Sequence, residues 1–180
     1  MSSQFADCVE VVLHHEGGFV NNPKDRGKAT NLGITIGTLT AWRGEPVTIE
    51  QVRNLTRLEA RQIYMALYWN PLRCDDLPAG LSLSVFDFGV NAGPRRSAMM
   101  LQRLLAEKDE RVEVDGAIGP ITLQAVRMRT SRVLIEQFHD SKVSYYRSLE
   151  SFPTFGKGWL NRASAVLEQS RAMAGYRVRD

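Results

Sequence analysis

Apolar residues recur at helical spacing from the start of the chain. Phe5, Cys8/Val9 and Val12/Leu13 share one face, and Glu16 closes the same stripe. The pattern predicts a helix that ends on a carboxylate and is stopped by Gly17-Gly18. Two residues without side chains also let backbone fold closely over the acid. The periodicity then gives way to a Gly/Asn/Pro/Thr-rich segment with one small extended element at residues 30–36. Thr35 or Thr38 caps a short helix through Leu39 and Trp42, closed by Gly44. Thr48 with Gln51 and Thr56 with Glu59 have capping-box spacing. The second pair opens a helix bearing Ala60, Ile63, Tyr64, Leu67 and Tyr68 on one side. It ends at Trp69-Asn70-Pro71, where proline removes a donor and restricts its neighbour. Cys74 to Leu77 then reads as a loop.

A nearly all-apolar segment with Leu81, Leu83, Val85, Phe86 and Phe88 predicts a central helix containing Asp87, broken by Gly89, Asn91 and Gly93. Pro94 starts another helix bearing Ala98, Leu101, Leu104 and Leu105. After the charged link Asp109 to Glu113, the turn-rich Val114 to Thr122 leads through Gly119-Pro120 into a helix. A long helix over 132–149, a tight loop over 152–158 and a final helix from Trp159 complete the pattern. The tail from Gly175 reads as frayed. The chain is therefore expected to be all-α, with one small extended element.

Composition narrows the class. At 180 residues, 43% hydrophobic and 24% charged, the chain is long enough for one sizeable core or two small lobes around a cleft. No apolar run is long enough to cross a membrane, and no basic, apolar leader precedes the first helix. Cys8 and Cys74 are read as free, with Cys8 buried. The net charge of +3 is compatible with an anionic polymer without identifying one. The arginine clusters at Arg95-Arg96, Arg127 to Arg129 and Arg171 to Arg179 lack the aromatic interleaving of a nucleic-acid binder and read as solvated helix surface. His14, His15 and His139 have no metal-ligand spacing, and no metal or cofactor is expected.

Cleavage of a glycosidic bond requires an acid to protonate the leaving oxygen and a second group that directs water or supports a cationic sugar. Desolvation favours the neutral, proton-donating form of a carboxyl. This suits Glu16 to the acid role, whereas Asp25, between Lys24 and Arg26 in a polar loop, is placed to stay ionised. Thr30 or Thr35 can hold a water with Asp25, because a hydroxyl both donates and accepts. Tyr68, Trp69 and Asn70 at a helix exit, with Thr35 and Asn91, form the candidate glycan-contacting set. Gly17, Gly18 and Asp87 are structural candidates, Asp87 as a backbone cap or an arginine partner. On spacing alone, each of these residues also has a plain structural reading.

Several blocks in one order add a resemblance. EGGF and DRGKATNLGIT, then YWNPLRCDDLPAGLSLSVFDFGVNAGP, VDGAIGPIT and FPTFGKGWLNR, resemble the glycoside hydrolase family 108 lysozymes, described as secretion activators or phage endolysins, over nearly the full length. The later blocks resemble the predicted peptidoglycan domain that accompanies them. The resemblance implies a lysozyme-like fold and hydrolysis of the β-1,4 bond between N-acetylmuramic acid and N-acetylglucosamine. Glu16 matches the catalytic glutamate, and the steps to Asp25 and Thr30 resemble the Glu-Asp-Thr arrangement of phage lysozymes. The sequence departs from the pattern at Lys28, where the family has the second of two glycines.

Residues 1–108 are accordingly read as an N-terminal catalytic region, and 109–180 as a C-terminal peptidoglycan-associated region integrated into the same body. The expected partner is bacterial peptidoglycan, met as a monomer, with no nucleic acid and no stable membrane insertion. Synthesis in the cytoplasm and action at the cell wall, through a holin or another route, complete the expectation. The alternative is a catalytically inactive peptidoglycan-binding protein.

Overall fold

The computed structural model describes residues 3–21 and 29–176, so Asp25 and Lys28 lie outside the described residues. The chain divides into two compact units, Val9–Ala66 and the remainder, Met1–Cys8 with Leu67–Asp180.

The Val9–Ala66 unit begins within helix α1 (Ser3–Glu16). Val9, Val12 and Leu13 are buried, as the spacing predicts. Three short strands follow, β1 (Val20–Asn21), β2 (Ala29–Asn31) and β3 (Ile34–Thr35), paired antiparallel in that order. They make the expected extended element a small sheet. Val20 lies opposite Thr30, and Thr30 opposite Thr35, so these three share one face; Asn31 pairs with Ile34. Asn31 is buried, and its Nδ2 donates to Val52 O (3.1 Å) and Arg53 O (2.8 Å). These bonds satisfy carbonyls at the end of α3 (Ile49–Arg53) and tie the sheet to it.

The caps are those the sequence encodes. Thr35 caps α2 (Ile36–Arg43), with Gly44 left-handed at its end. Thr48 and Gln51 form the full capping box of α3. Thr56 caps α4 (Arg57–Tyr64), accepting from the Glu59 amide at 3.1 Å. The Glu59 carboxylate instead makes a two-pronged contact with Arg43 (2.9 and 2.7 Å), joining α2 to α4. On the outer side, Glu10 of α1 bonds both Arg57 and Arg61.

Helix α4 runs into a π-helical turn, Met65–Trp69. This corrects two expectations. The wider turn advances the buried stripe by five residues, from Tyr64 to Trp69, so Leu67 rotates outward and is 39% exposed. Trp69 is fully buried between Phe5 and Phe86, with ring centroids 5.2 and 5.3 Å away. A 3-10 turn, Cys74–Asp76, replaces the expected loop. Both cysteines are free and buried, and burial pushes the Cys8 thiol up to about 12.

The larger unit is built around α5 (Leu81–Ala92), buried continuously from Leu81 to Gly89. Around it lie α6 (Pro94–Ala106), α7 (Pro120–Arg127), α8 (Ser131–Arg147) and α9 (Phe152–Met173). Phe88 meets Phe138, Tyr145 and Tyr146 of α8 edge-on. Ser84 bonds Ser170 of α9 at 2.9 Å. The loop expected over 152–158 is instead the start of α9. Pro153 occupies the first turn, where its missing N–H costs nothing, and a Cβ on Gly156 would come within 2.6 Å of the Phe152 ring. That glycine therefore serves packing rather than breaking the helix. No helix among the described residues is long and apolar enough to cross a membrane.

Asp87, fully buried on α5, accepts from Arg162 Nε of α9 (2.8 Å) and Lys142 Nζ of α8 (3.3 Å). Burial alone would push its carboxyl up, but Lys142 and Arg162 outweigh that and hold it below the usual carboxylate range. Lys142 is pulled down by its own burial, only partly offset by Asp87. A buried carboxylate shared by three helices is costly to remove, because its cations are left unbalanced. Asp87→Asn is expected to lower unfolding stability at neutral pH by about 3–5 kcal/mol. Lys142→Met should cost less, since Arg162 still pairs with the acid. Because the folded-state value is depressed, the Asp87 contribution is complete above the ordinary carboxylate range. It disappears only as pH falls through the depressed value. Denaturant titrations of wild type and Asp87→Asn at pH 7 and in acid should therefore converge only in acid.

Candidate active site

Helix α1 delivers Glu16 at its final position, and Gly17 follows in the left-handed conformation (φ 74°), which terminates the helix. The pair of glycines ends the helix as expected, but the close approach lies elsewhere. Among the described residues, nothing lies within 4 Å of a Cβ placed on Gly17 or Gly18.

The tight contact is at Gly33. Leu32 and Gly33 form the two-residue turn between β2 and β3, with φ of 50° and 74°. Positive φ at both positions matches the twist of a hairpin and favours glycine. A Cβ on Gly33 would collide with the Tyr64 hydroxyl and lie 2.7 Å from Glu16 Oε2 and 2.9 Å from Glu16 Cγ. Tyr64, buried on the inner face of α4, donates to Leu32 O at 2.9 Å and so fixes the turn. The half-buried Glu16 side chain is thus wedged against a hairpin turn that a tyrosine from a second helix holds in place.

Thr30 and Thr35 are neighbours on this hairpin, both half-buried, on the face away from buried Ala29, Asn31 and Ile34. Thr35 is committed to capping: its Oγ1 accepts from Thr38 N (3.1 Å) and bonds Thr38 Oγ1 (3.0 Å). The structure therefore gathers Glu16, Thr30 and Thr35 around one hairpin. Asp25 lies outside the described residues.

The remaining site candidates belong to the larger unit. Trp69, fully buried, is a core residue and offers no face to a sugar, which corrects its assignment to the glycan-contacting set. Tyr68 is half-buried and Asn70 exposed at the end of the π-helical turn. Asn91 is exposed, with Nδ2 donating to Asp87 O at 2.7 Å. Asp87 is the arginine partner the sequence allowed. Among the described residues, no three His, Cys, Asp or Glu side chains gather as metal ligands would.

Comparison with known proteins covers the same stretches of chain. The Glycosyl hydrolase 108 family model matches residues 9–93, and the Predicted Peptidoglycan domain model matches 96–164. A solved structure of Brucella abortus SagA is 41% identical over 95% of each chain, with a TM-score of 0.84. The chain belongs to the glycosyl hydrolase 108 family. No curated protein sequence matches it. As a family 108 member it is a peptidoglycan hydrolase of the muramidase type, and its mostly helical architecture with a small antiparallel sheet is consistent with a lysozyme-like fold.

Sequence reasoning did not single out Gly33 and Tyr64, the residues packed against Glu16. The signal for Gly33 was a glycine in a two-residue gap between alternating segments, Thr30-Asn31 and Ile34-Thr35. For Tyr64 it was a tyrosine on an apolar stripe, whose hydroxyl must find a partner once buried.

The two glycines predict different outcomes. Gly17→Ala adds only left-handed strain, about 1–2 kcal/mol. Gly33→Ala adds strain and a collision, and should lower stability by about 2–5 kcal/mol. By displacing Glu16 it should also slow wall hydrolysis by about 100-fold. Thermal unfolding and reducing-sugar release from sacculi, measured on both variants, check the contrast.

Proposed function

We propose that Glu16 is the general acid of an N-acetylmuramidase, protonating the glycosidic oxygen of the β-1,4 bond between N-acetylmuramic acid and N-acetylglucosamine. The observation that carries this reading is the wedging of the Glu16 side chain against the Leu32-Gly33 turn and Tyr64. A proton donor must be held in place to act on one bond, and a helix-end carboxyl packed against a braced turn meets that need. Asp25 directs the attacking water or supports positive charge on the sugar. Thr30 helps hold that water: it stands on the half-exposed face of the hairpin, and its hydroxyl is not used in the cap that occupies Thr35. Residues 109–180 supply contact with the wall, a reading supported by the peptidoglycan-domain match over 96–164.

The chemistry divides along the route of the water. Inversion follows if Asp25 activates a water across the sugar ring, which needs carboxyls about 6.5–9.5 Å apart. Retention requires about 5–5.5 Å and attack by the carboxylate itself. Glu16→Gln should reduce product release from purified sacculi by about 100- to 10,000-fold while the protein still pellets with them. Muramidase fragments released by the variant at the wild-type rate would remove Glu16 from the acid role. The first anomer formed by wild type, read by proton NMR, should be inverted. A retained anomer would make the water-directing role of Asp25 wrong.

A further inference from the structure

Several of the described arginines are neutralised by carboxylates. Arg43 pairs with Glu59, Arg57 and Arg61 with Glu10, Arg111 with Asp109, and Arg171 with Glu136 and Glu168. Among the arginines that form no such pair, three converge at the start of α6. Arg95, Arg96 and Arg103 line a groove of about 530 Å³ together with Met99 and Tyr145, and no acidic side chain lines it. None of the three forms an ion pair among the described residues.

The groove is ordered rather than a loose basic surface. Arg96 Nη1 donates to Tyr145 Oη (2.8 Å) and Ala92 O (3.3 Å), and its guanidinium stacks 5.3 Å from the Tyr145 ring centroid. The ring is in turn packed edge-on against Phe88 at 5.3 Å. One guanidinium nitrogen is thereby anchored, while the rest of the fork has no protein partner among the described residues. The Arg95 stem is packed against the Gly116 turn, where an added Cβ would lie 2.6 Å from Arg95 Cγ. Asp115 beside that turn is held by Gln102 Nε2 (2.7 Å) and the Ala117 amide (2.8 Å) and also feels the charge of Arg95. Arg95 is thereby partly balanced, leaving Arg96 and Arg103 as the groove's uncompensated cations. Finally, α6 begins at Pro94 with no side-chain cap, so its first amides add partial positive charge to the same place.

We infer that this groove binds the carboxylates of peptidoglycan stem peptides. The inference rests on peptidoglycan being the substrate, and not on the role of Glu16. The sugars of the glycan carry no free charge where stems are attached, so the wall's carboxylates sit on the stems. Planar guanidinium forks match carboxylates, and the Tyr145 and Met99 surfaces suit the aliphatic parts of a peptide. The groove therefore makes wall binding depend on the presence of stems.

The test measures pelleting of the full-length Glu16→Gln protein at 4 °C, with reducing-sugar release assayed in the same tubes so that only intact wall is compared. It uses three preparations: native sacculi; sacculi stripped of stems by an amidase, with the freed glycan strands fixed to beads and the lactyl carboxylates that cleavage exposes capped as amides; and sacculi freed of phosphate polymers by hydrofluoric acid. Stripping the stems should weaken binding about tenfold or more, and removing phosphate polymers should not. Adding Arg96→Gln and Arg103→Gln should produce the same loss on native sacculi. Adding Arg127→Gln and Lys157→Gln, an equal charge change at exposed positions, should change binding by no more than about twofold. Thermal unfolding of both double variants checks their folding, and the comparison of stripped with native sacculi needs no groove variant. Equal binding to stripped and native sacculi overturns the proposal. So does loss of binding on phosphate removal, or a groove variant that binds like the control. Wild-type digestion products read the muramidase chemistry separately: stem-dependent binding without muramidase fragments would reject that chemistry and keep the groove.

Discussion

At position 33 there is no room for a side chain, because the Tyr64 hydroxyl and the Glu16 carboxylate crowd the space a Cβ would fill. That steric limit joins the parts of the smaller unit. It requires a two-residue turn with positive φ, which sets the register of β2 on β3 and makes Thr30 and Thr35 cross-strand neighbours. It also requires Tyr64 on the inner face of α4, with its hydroxyl spent on Leu32 O. Helix α4 in turn is fastened by Glu59 to Arg43 and by Arg57 and Arg61 to Glu10 of α1. The fold thus fixes a carboxylate by steric exclusion, with ion pairs bracing the helices behind it, and a fixed acid is what glycosidic proton transfer requires.

In the larger unit the organising element is α5. Its inward face carries Asp87 to Lys142 and Arg162, which binds α5, α8 and α9 together. One turn later Asn91 returns a hydrogen bond to the Asp87 carbonyl, after which Gly93 releases the chain into α6 and its arginines. Phe88, adjacent to Asp87, supports Tyr145, the aromatic wall of that groove. A buried ion cluster of this kind adds little net stability over packed apolar side chains, although removing one member alone is costly. Its use here is geometric: it holds the helices that shape an otherwise repulsive gathering of unpaired arginines.

Much of this was legible in the sequence, and the legible parts are local. Thr35, Thr48 and Thr56 cap the helices they were expected to cap, and Pro94 and Pro120 start theirs. Each signal acts through bonds within a few residues. The errors came where packing overrode a local rule. A π-helical turn has no marker in the Tyr64 to Trp69 stretch, so the apolar stripe was projected with the wrong period and Trp69 was taken for a surface ring. Residues 152–158 read as a tight loop, whereas they open α9, with the Phe152 ring packed against Gly156 inside the helix. Glu16 was singled out because a carboxylate ended an apolar stripe and matched the family pattern, and the structure shows it packed against the Leu32-Gly33 turn. Gly33 and Tyr64 were missed because their importance lies in a contact between residues far apart in sequence.

The central claim is that the wedged Glu16 carboxyl faces the scissile bond. The most direct measurement is a crystal structure of the full-length Glu16→Gln protein with a bound stem-bearing glycan tetrasaccharide. The account predicts a glycosidic oxygen of a muramic acid–glucosamine linkage within about 3 Å of the residue 16 amide, with the Leu32-Gly33 turn unmoved. A glycan seated with every glycosidic oxygen beyond hydrogen-bond reach of residue 16, and against some other carboxylate, would contradict it.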